Sequence, residues 1–225
     1  MLNVGVIFHN NEDLVEPFFY FLRRATKIPY RVIAVNNGSQ DRTWLKLALQ
    51  MRECDFMLTS EENVGIAKAR NMILHKIHTI NSQRYEPLAL LDSDVFIVRN
   101  ESIDMMYEVL QKNQKAGAVF GVIHSFHDWA THDRGISFCM ISEKMFSEVG
   151  LFDERFFCFY DDSDFMKRIT VARYLLTTCE TAKCVHAWGS TLWDSKPRVN
   201  TNEILQRDTA EFNAKWKTNI KAETR

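Results

Sequence analysis

Two acidic groups and one histidine have the types and spacing to do chemistry together. Asp92-Ser93-Asp94 sets two carboxylates one residue apart. Such a pair can share a hard cation, and Mg²⁺ or Mn²⁺ often holds to protein through one or two carboxylates while a diphosphate takes other positions. A cation so placed neutralises charge on a departing nucleoside diphosphate. Asp161-Asp162-Ser163-Asp164 is the second acidic group. A carboxylate kept ionised against an acceptor hydroxyl is a general base. Acids at a helix start also satisfy its free N–H groups and dipole, so one or two of these three are assigned to capping and one to chemistry. His186, in Val185-His186-Ala187-Trp188-Gly189, supplies an imidazole that suits a divalent ion beside carboxylates, or a structural role. His124, His127 and His132 have the residue type of a zinc site, but nothing regular fixes their positions, and a polar loop is expected there.

The elements that must position these groups follow from the hydrophobic pattern. Val4–Phe8, Arg31–Val35, Asp55–Thr59 and Pro87–Leu91 read as strands. Leu14–Thr26, a segment from near Thr43 capped by Asp41 or Ser39, and Ile66–Ile80 read as helices. This alternation implies a mostly parallel sheet with helices on both faces. Ligands collect at the carboxyl ends of such strands. The polar clusters His9–Asn11, Asn36–Ser39 and Asp92–Asp94 all fall there. That position, rather than the D-x-D pattern alone, gives the first acidic pair its weight.

The second half changes character. Ile103–Lys112, Glu143–Val149, Asp161 through Tyr174 and Asn202–Trp216 read as helices, and Ala118–Ile123 and Ile136–Ile141 as strands. Ser125–Arg134 reads as a polar loop, and Leu175–Thr178 and Cys184–Ala187 as short apolar runs. No linker or repeat divides the chain. One domain over 1–225 is expected, with halves at about 1–100 and 101–200 and a helix and tail at 201–225.

Composition narrows the function class. The 225 residues carry 28 Lys plus Arg against 29 Asp plus Glu, so the formal charge is −1 and no global field draws the chain to nucleic acid or anionic lipid. An apolar share of 46% with 16 Phe and 5 Trp supplies a core, and 8 Gly with 4 Pro exclude a low-complexity chain. No apolar run approaches the ~20 residues that cross a bilayer. The start reads as a strand rather than a signal peptide. Five cysteines without paired spacing read as buried free thiols of a cytoplasmic protein.

Several segments, in order, resemble family 2 glycosyltransferases of the GT-A fold. Val4–Asn11 is similar to the family's opening strand and donor loop. Val35-Asn36-Asn37-Gly38-Ser39-Gln40-Asp41-Arg42-Thr43 and Asn63-Val64-Gly65-Ile66-Ala67-Lys68-Ala69-Arg70-Asn71 are similar to two further blocks. Leu90–Asp94 matches the D-x-D strand end, Phe152–Phe157 with Tyr160–Phe165 the later acidic block, and Val185-His186 the late histidine.

The resemblance implies an inverting, metal-dependent transfer from a nucleotide-diphosphate sugar, a UDP-sugar foremost. It implies donor contacts at His9, Asn11, Asn36 and Asn37, with Asn36 in place of a base-reading acid. Asn63, Arg70, Asp92 and Ser93 complete the donor side. Asp94 and His186 would hold Mn²⁺ or Mg²⁺. Asp162 would be the base, with Asp161 beside it in place of the commoner Glu. His127, Trp129, Asp164 and Trp188 are expected on the acceptor side. The acceptor would be a glycan, a lipid-linked oligosaccharide or another hydroxyl, a modified DNA base included. The Gln/Arg-x-x-Arg-Trp motif of processive members is missing, so one sugar per encounter is expected. A nucleotidyltransferase would place a Gly-rich basic loop where His9–Asp13 stands, and a non-catalytic sugar-nucleotide-binding module would not need Asp94, Asp162 and His186 together.

Overall fold

The computed structural model describes residues 1–125, 131–132, 135–187, 201–218 and 220–221. The first strands are β1 (Leu2–Phe8), β2 (Tyr30–Asn37), β3 (Phe56–Ser60) and β4 (Leu88–Asp92). They alternate with α1 (Glu12–Ala25), α2 (Thr43–Gln50) and α3 (Ile66–Ile80). The second half contains β5 (Val95–Ile97), α4 (Ser102–Lys112), β6 (Ala116–Ser125), β7 (Thr131–His132) and β8 (Phe138–Ile141). It continues with α5 (Glu143–Glu148), α6 (Asp161–Val171), β9 (Leu175–His186) and α7 (Thr201–Trp216).

All strands join one sheet in the order β3-β2-β1-β4-β8-β6-β9-β5, with β7 on β6. The expected parallel pairing holds from β3 to β4. Beyond β4, β8 pairs antiparallel with both β4 and β6, and β6 with β9 is parallel. The fold is α/β, with helices on both faces. Side chains alternate along each strand, and the two cores show it. Val32 and Ala34 of β2 face the layer of α1 and α4, while Ile33 and Val35 face that of α3, α5 and α6. Ala89 and Leu91 of β4 face the first layer, and Leu88 and Leu90 the second.

Several elements differ from the sequence reading, β7 within the expected 125–134 loop among them. The runs at 175–178 and 184–187 belong to one twelve-residue strand, β9, whose pairing with β6 shifts register between Gly121 and Val122. A bulge of this kind takes polar residues out of the alternation and makes one strand read as two. The three residues after the D-x-D pair also form a strand, β5, paired antiparallel with the end of β9. In addition, α6 ends at Val171, where Arg173 adopts φ 65°. Asp41 does start α2, accepting from the Thr43 amide, and its other oxygen accepts from the Glu12 amide at the start of α1. All five cysteines are free, but Cys54 is exposed rather than buried and Cys158 is half-buried. Among the described residues no helix is long and apolar enough to cross a membrane.

Candidate active site

The strand ends and the start of α6 enclose a cleft of about 330 Å³. Parity decides which side chains enter it. Continuing the alternation of β2, Asn37 falls on the α3 face and Asn36 on the other. Asn37 lines the cleft, with His9, Asn63, Arg70, Asp92 and Ser93. Of the two adjacent asparagines expected as donor contacts, Asn37 is on the cleft wall, whereas Asn36 is buried and off it. Asn11 is also off the wall; its Nδ2 donates to Ser93 Oγ at 3.1 Å and steadies a residue that is on it.

Two glycines allow the rim loops to meet. Gly38 has φ +68°, and a Cβ there would lie 2.2 Å from the Glu62 carbonyl carbon. Gly65 has φ +87°, and its Cβ would lie 2.7 Å from the Phe157 carbonyl oxygen. Both positions need glycine for conformation and for space. Asn37 uses the first approach, accepting from the Val64 amide at 3.0 Å and donating to Asn63 Oδ1 at 3.0 Å.

The metal-type cluster is set by strand pairing. β5 pairs Val95 with His186, and the Ala187 amide donates to the Asp94 carbonyl at 3.0 Å. This brings the His186 Nε2 to 2.9 Å from Asp94 Oδ1. One potential ligand atom from each of Asp92, Asp94 and His186 lies within 4.8 Å of the others. Ligands ~2.1 Å from an octahedral ion lie about 3 to 4.2 Å apart, so small side-chain adjustments accommodate one. Burial lowers the His186 pKa, but the hydrogen bond and charge of Asp94 outweigh it and the net shift is upward.

Asp161 and Asp162, at the start of α6, line the same cleft. Arg70 is buried and donates from Nη1 to Asp161, with Nη2 3.7 Å from Asp92 Oδ1. Burial opposes charge on both partners. For Arg70 the charges of Asp161 and Asp92 win, and its pKa is raised. For Asp161 burial wins over Arg70, aided by repulsion from Asp162 and Asp92, and its carboxyl is pushed up to about 7. Asp162 lines the cleft and makes no ion pair among the described residues; its Oδ1 accepts from the Ser163 amide at 2.6 Å. Among the described residues four aspartates and one arginine therefore line the cleft, an excess of negative charge that a divalent cation would offset. Phe157, Cys158, Phe159 and Tyr160 also line the cleft. Burial pushes the Cys158 thiol up to about 12, so this wall presents no thiolate.

Asp164, expected on the acceptor side, does not line the cleft. Asp164 is fully buried and turned from the cleft, accepting from Arg168 Nε at 2.9 Å, Trp216 Nε1 at 2.9 Å and Lys215 Nζ at 2.6 Å. Its carboxylate joins α6 to α7. His127, Trp129 and Trp188 lie outside the described residues. The sequence reading missed Asp208, buried on α7, whose Oδ2 accepts from the amides of Phe157, Cys158 and Phe159 at 2.9–3.0 Å. A signal for it existed. Leu205, Asp208, Thr209, Phe212 and Trp216 recur at helical spacing, so Asp208 interrupts an otherwise inward stripe.

Comparison with known proteins agrees with this geometry. Residues 3–173 match the sequence profile of Glycosyl transferase family 2. A search of curated protein sequences finds no significant match. Among solved structures, the chain is similar to the mannosyltransferase PcManGT from Pyrobaculum calidifontis in complex with GDP-Man and Mn²⁺. The TM-score is 0.68 at 17% identity, covering 99% of this chain and 65% of that one. It is also similar to TarS of S. aureus, with a TM-score of 0.66 at 13% identity, covering 94% of this chain and 39% of that one. The chain thus spans about two thirds of the first neighbour's length and less of the second's.

Proposed function

The chain belongs to glycosyl transferase family 2, and from that membership we propose that it moves one sugar from a nucleoside-diphosphate sugar to an acceptor hydroxyl, inverting the anomeric centre. The observation that carries this reading is one cleft lined by both groups, the cluster of Asp92, Asp94 and His186 and the carboxylate of Asp162.

Asp94 and His186, with Asp92 beside them, would hold a divalent cation that neutralises charge on the leaving diphosphate. A mixed carboxylate and imidazole set favours Mn²⁺ over Mg²⁺. Asn37 and Asn63 face the nucleotide, Asn37 next to Asn36, the position the resemblance gives to a base reader. Asp92 holds the ribose or the sugar, braced by Arg70. Asp162 accepts the proton of the acceptor hydroxyl as its oxygen bonds to the anomeric carbon and the bond to the leaving phosphate breaks. Attack opposite the leaving group gives inversion. The aromatic wall Phe157–Tyr160 limits competing water. A UDP-sugar is the donor expected first, with GDP-mannose next because of the neighbour's ligand.

The test is release of nucleoside diphosphate from a panel of UDP- and GDP-sugars with Mn²⁺ and candidate acceptors. One donor is expected to turn over, and Asp162→Asn is expected to lower turnover at least ~100-fold while changing nucleotide affinity by less than about threefold. Loss of nucleotide binding in that variant would remove Asp162 from the base role. Tight nucleotide binding with no turnover of any donor would sink the enzyme reading in favour of a binding module.

A further inference from the structure

We infer that Asp208 of α7 is a positioning residue, which fixes the 157–162 segment and through it the aim of Asp162; the inference rests on the transferase reading above. The segment between Phe156 and Asp161 has no regular structure, so its amides need partners from elsewhere. Three successive ones, at Phe157, Cys158 and Phe159, converge on one oxygen of Asp208, at 3.0, 2.9 and 3.0 Å. Consecutive N–H groups aimed at one point form an anion nest, and here the chain fills the nest with its own buried carboxylate. The other oxygen accepts from Arg207 Nε and Nη2 at 3.1 and 2.8 Å.

The same segment carries functional atoms on both sides of the nest. The Phe157 carbonyl accepts from the Ile66 amide at 2.6 Å, joining the wall to the start of α3. Tyr160, at φ 65°, turns the chain into α6 and stacks on Phe212 of α7 with ring centroids 5.0 Å apart. Asp162 follows two residues later. The matched family segment ends at 173, and α7 lies beyond it at Thr201–Trp216. The clamp is therefore supplied by a part of the chain outside that segment.

The donor side rests mainly on β1, β2, β4 and the β5–β9 pairing, and the Phe157–Ile66 bond and the Arg70 pairs link it to the clamped segment. Releasing the clamp should disturb transfer and spare nucleotide binding. Asp208→Asn keeps the shape and loses the charge. It is expected to speed amide exchange of the 157–159 peptide, to lower kcat at least about tenfold, and to leave Mn²⁺-dependent nucleotide affinity within about threefold of wild type. Asp208→Glu keeps the charge but displaces the oxygen, and should show the same split to a smaller degree; it serves also if the Asn variant does not fold. In an Asp162→Asn background, Asp208→Asn should add little further loss. Wild-type kcat in a variant whose exchange is accelerated would overturn the inference, as would equal loss of binding and transfer. If the wild-type chain turns over no donor, the transferase reading fails on its own, and unchanged exchange at 157–159 would separately dismiss the clamp.

Discussion

At the scale of the residue, the cleft turns on how one buried guanidinium serves several carboxyls. Arg70 reaches Asp161 and Asp92, and its ring neighbour Phe152 lies 5.3 Å from the guanidinium carbon. Removing one partner of a buried pair strands the other's charge, at a cost of about 3–5 kcal/mol. Asp161 can escape that cost by taking a proton. Its folded pKa, near 7, already exceeds the unfolded value, so this group's contribution to stability is full below the unfolded pKa and falls as pH rises toward 7. Without Arg70 that pKa rises further and the fall continues to higher pH. Arg70→Ala should therefore show a larger stability deficit at pH 8.5 than at pH 5.5 by urea unfolding; an equal deficit at both would mean that Asp161 stays ionised throughout. Much of this site was legible in sequence, because carboxylates, imidazole and arginine declare their chemistry by type. What the residue types could not say was parity. Asn36 and Asn37 are adjacent and identical, and only the sheet's alternation puts the second in the cleft and the first behind it.

At the scale of the element, the first half of the chain was readable because each parallel strand is a local apolar run followed by a polar rim. The second half was less so, for stated reasons. β5 is three residues long, and its partner β9 lies almost ninety residues away in sequence, yet this pairing places His186 beside Asp94. No local pattern encodes so distant a register. The helix α7 was recognisable by its periodicity, but its role rests on contacts to segments about fifty residues earlier. One of those contacts is testable by pH. Arg155 and then Lys215 of α7 hydrogen-bond Asp153 and hold its carboxyl below the usual range. A depressed pKa gives stability that is present above the unfolded value and lost as pH falls through the folded one. Asp153→Asn is expected to cost about 1 kcal/mol at pH 7, tempered by solvent screening. The gap between variant and wild type should narrow as pH drops below ~4. A gap that stays constant down to pH 2 in thermal melts would show that the ion pairs are not what holds α7 against this loop.

At the scale of the whole molecule, two anchoring systems meet at one cleft. The sheet ends fix Asp92, Asp94 and His186, and α7 with α6 fixes the segment that leads to Asp162. The formal charge of −1 gives no long-range field, while the cleft itself gathers four aspartates against one arginine. A diphosphate, itself anionic, would meet repulsion there unless a cation arrived with it. Binding should then be strongly coupled: nucleotide alone weak, cation alone weak, the two together strong. A ligand that binds only the folded state stabilises it by about 2.7 kcal/mol at a hundred times its Kd, and for a chain of this size each kcal/mol moves Tm by roughly 2–4 °C. A UDP or GDP titration with Mn²⁺ should therefore raise Tm by about 5–10 °C near saturation. EDTA should abolish the rise, and Asp94→Ala should largely remove it without a comparable loss of basal Tm. If nucleotide raised Tm equally with and without the metal, the acidic cluster would not be where the diphosphate is neutralised. Among the described residues that line the cleft, the positive charge would have to come from Arg70, which the structure commits to Asp161 and Asp92.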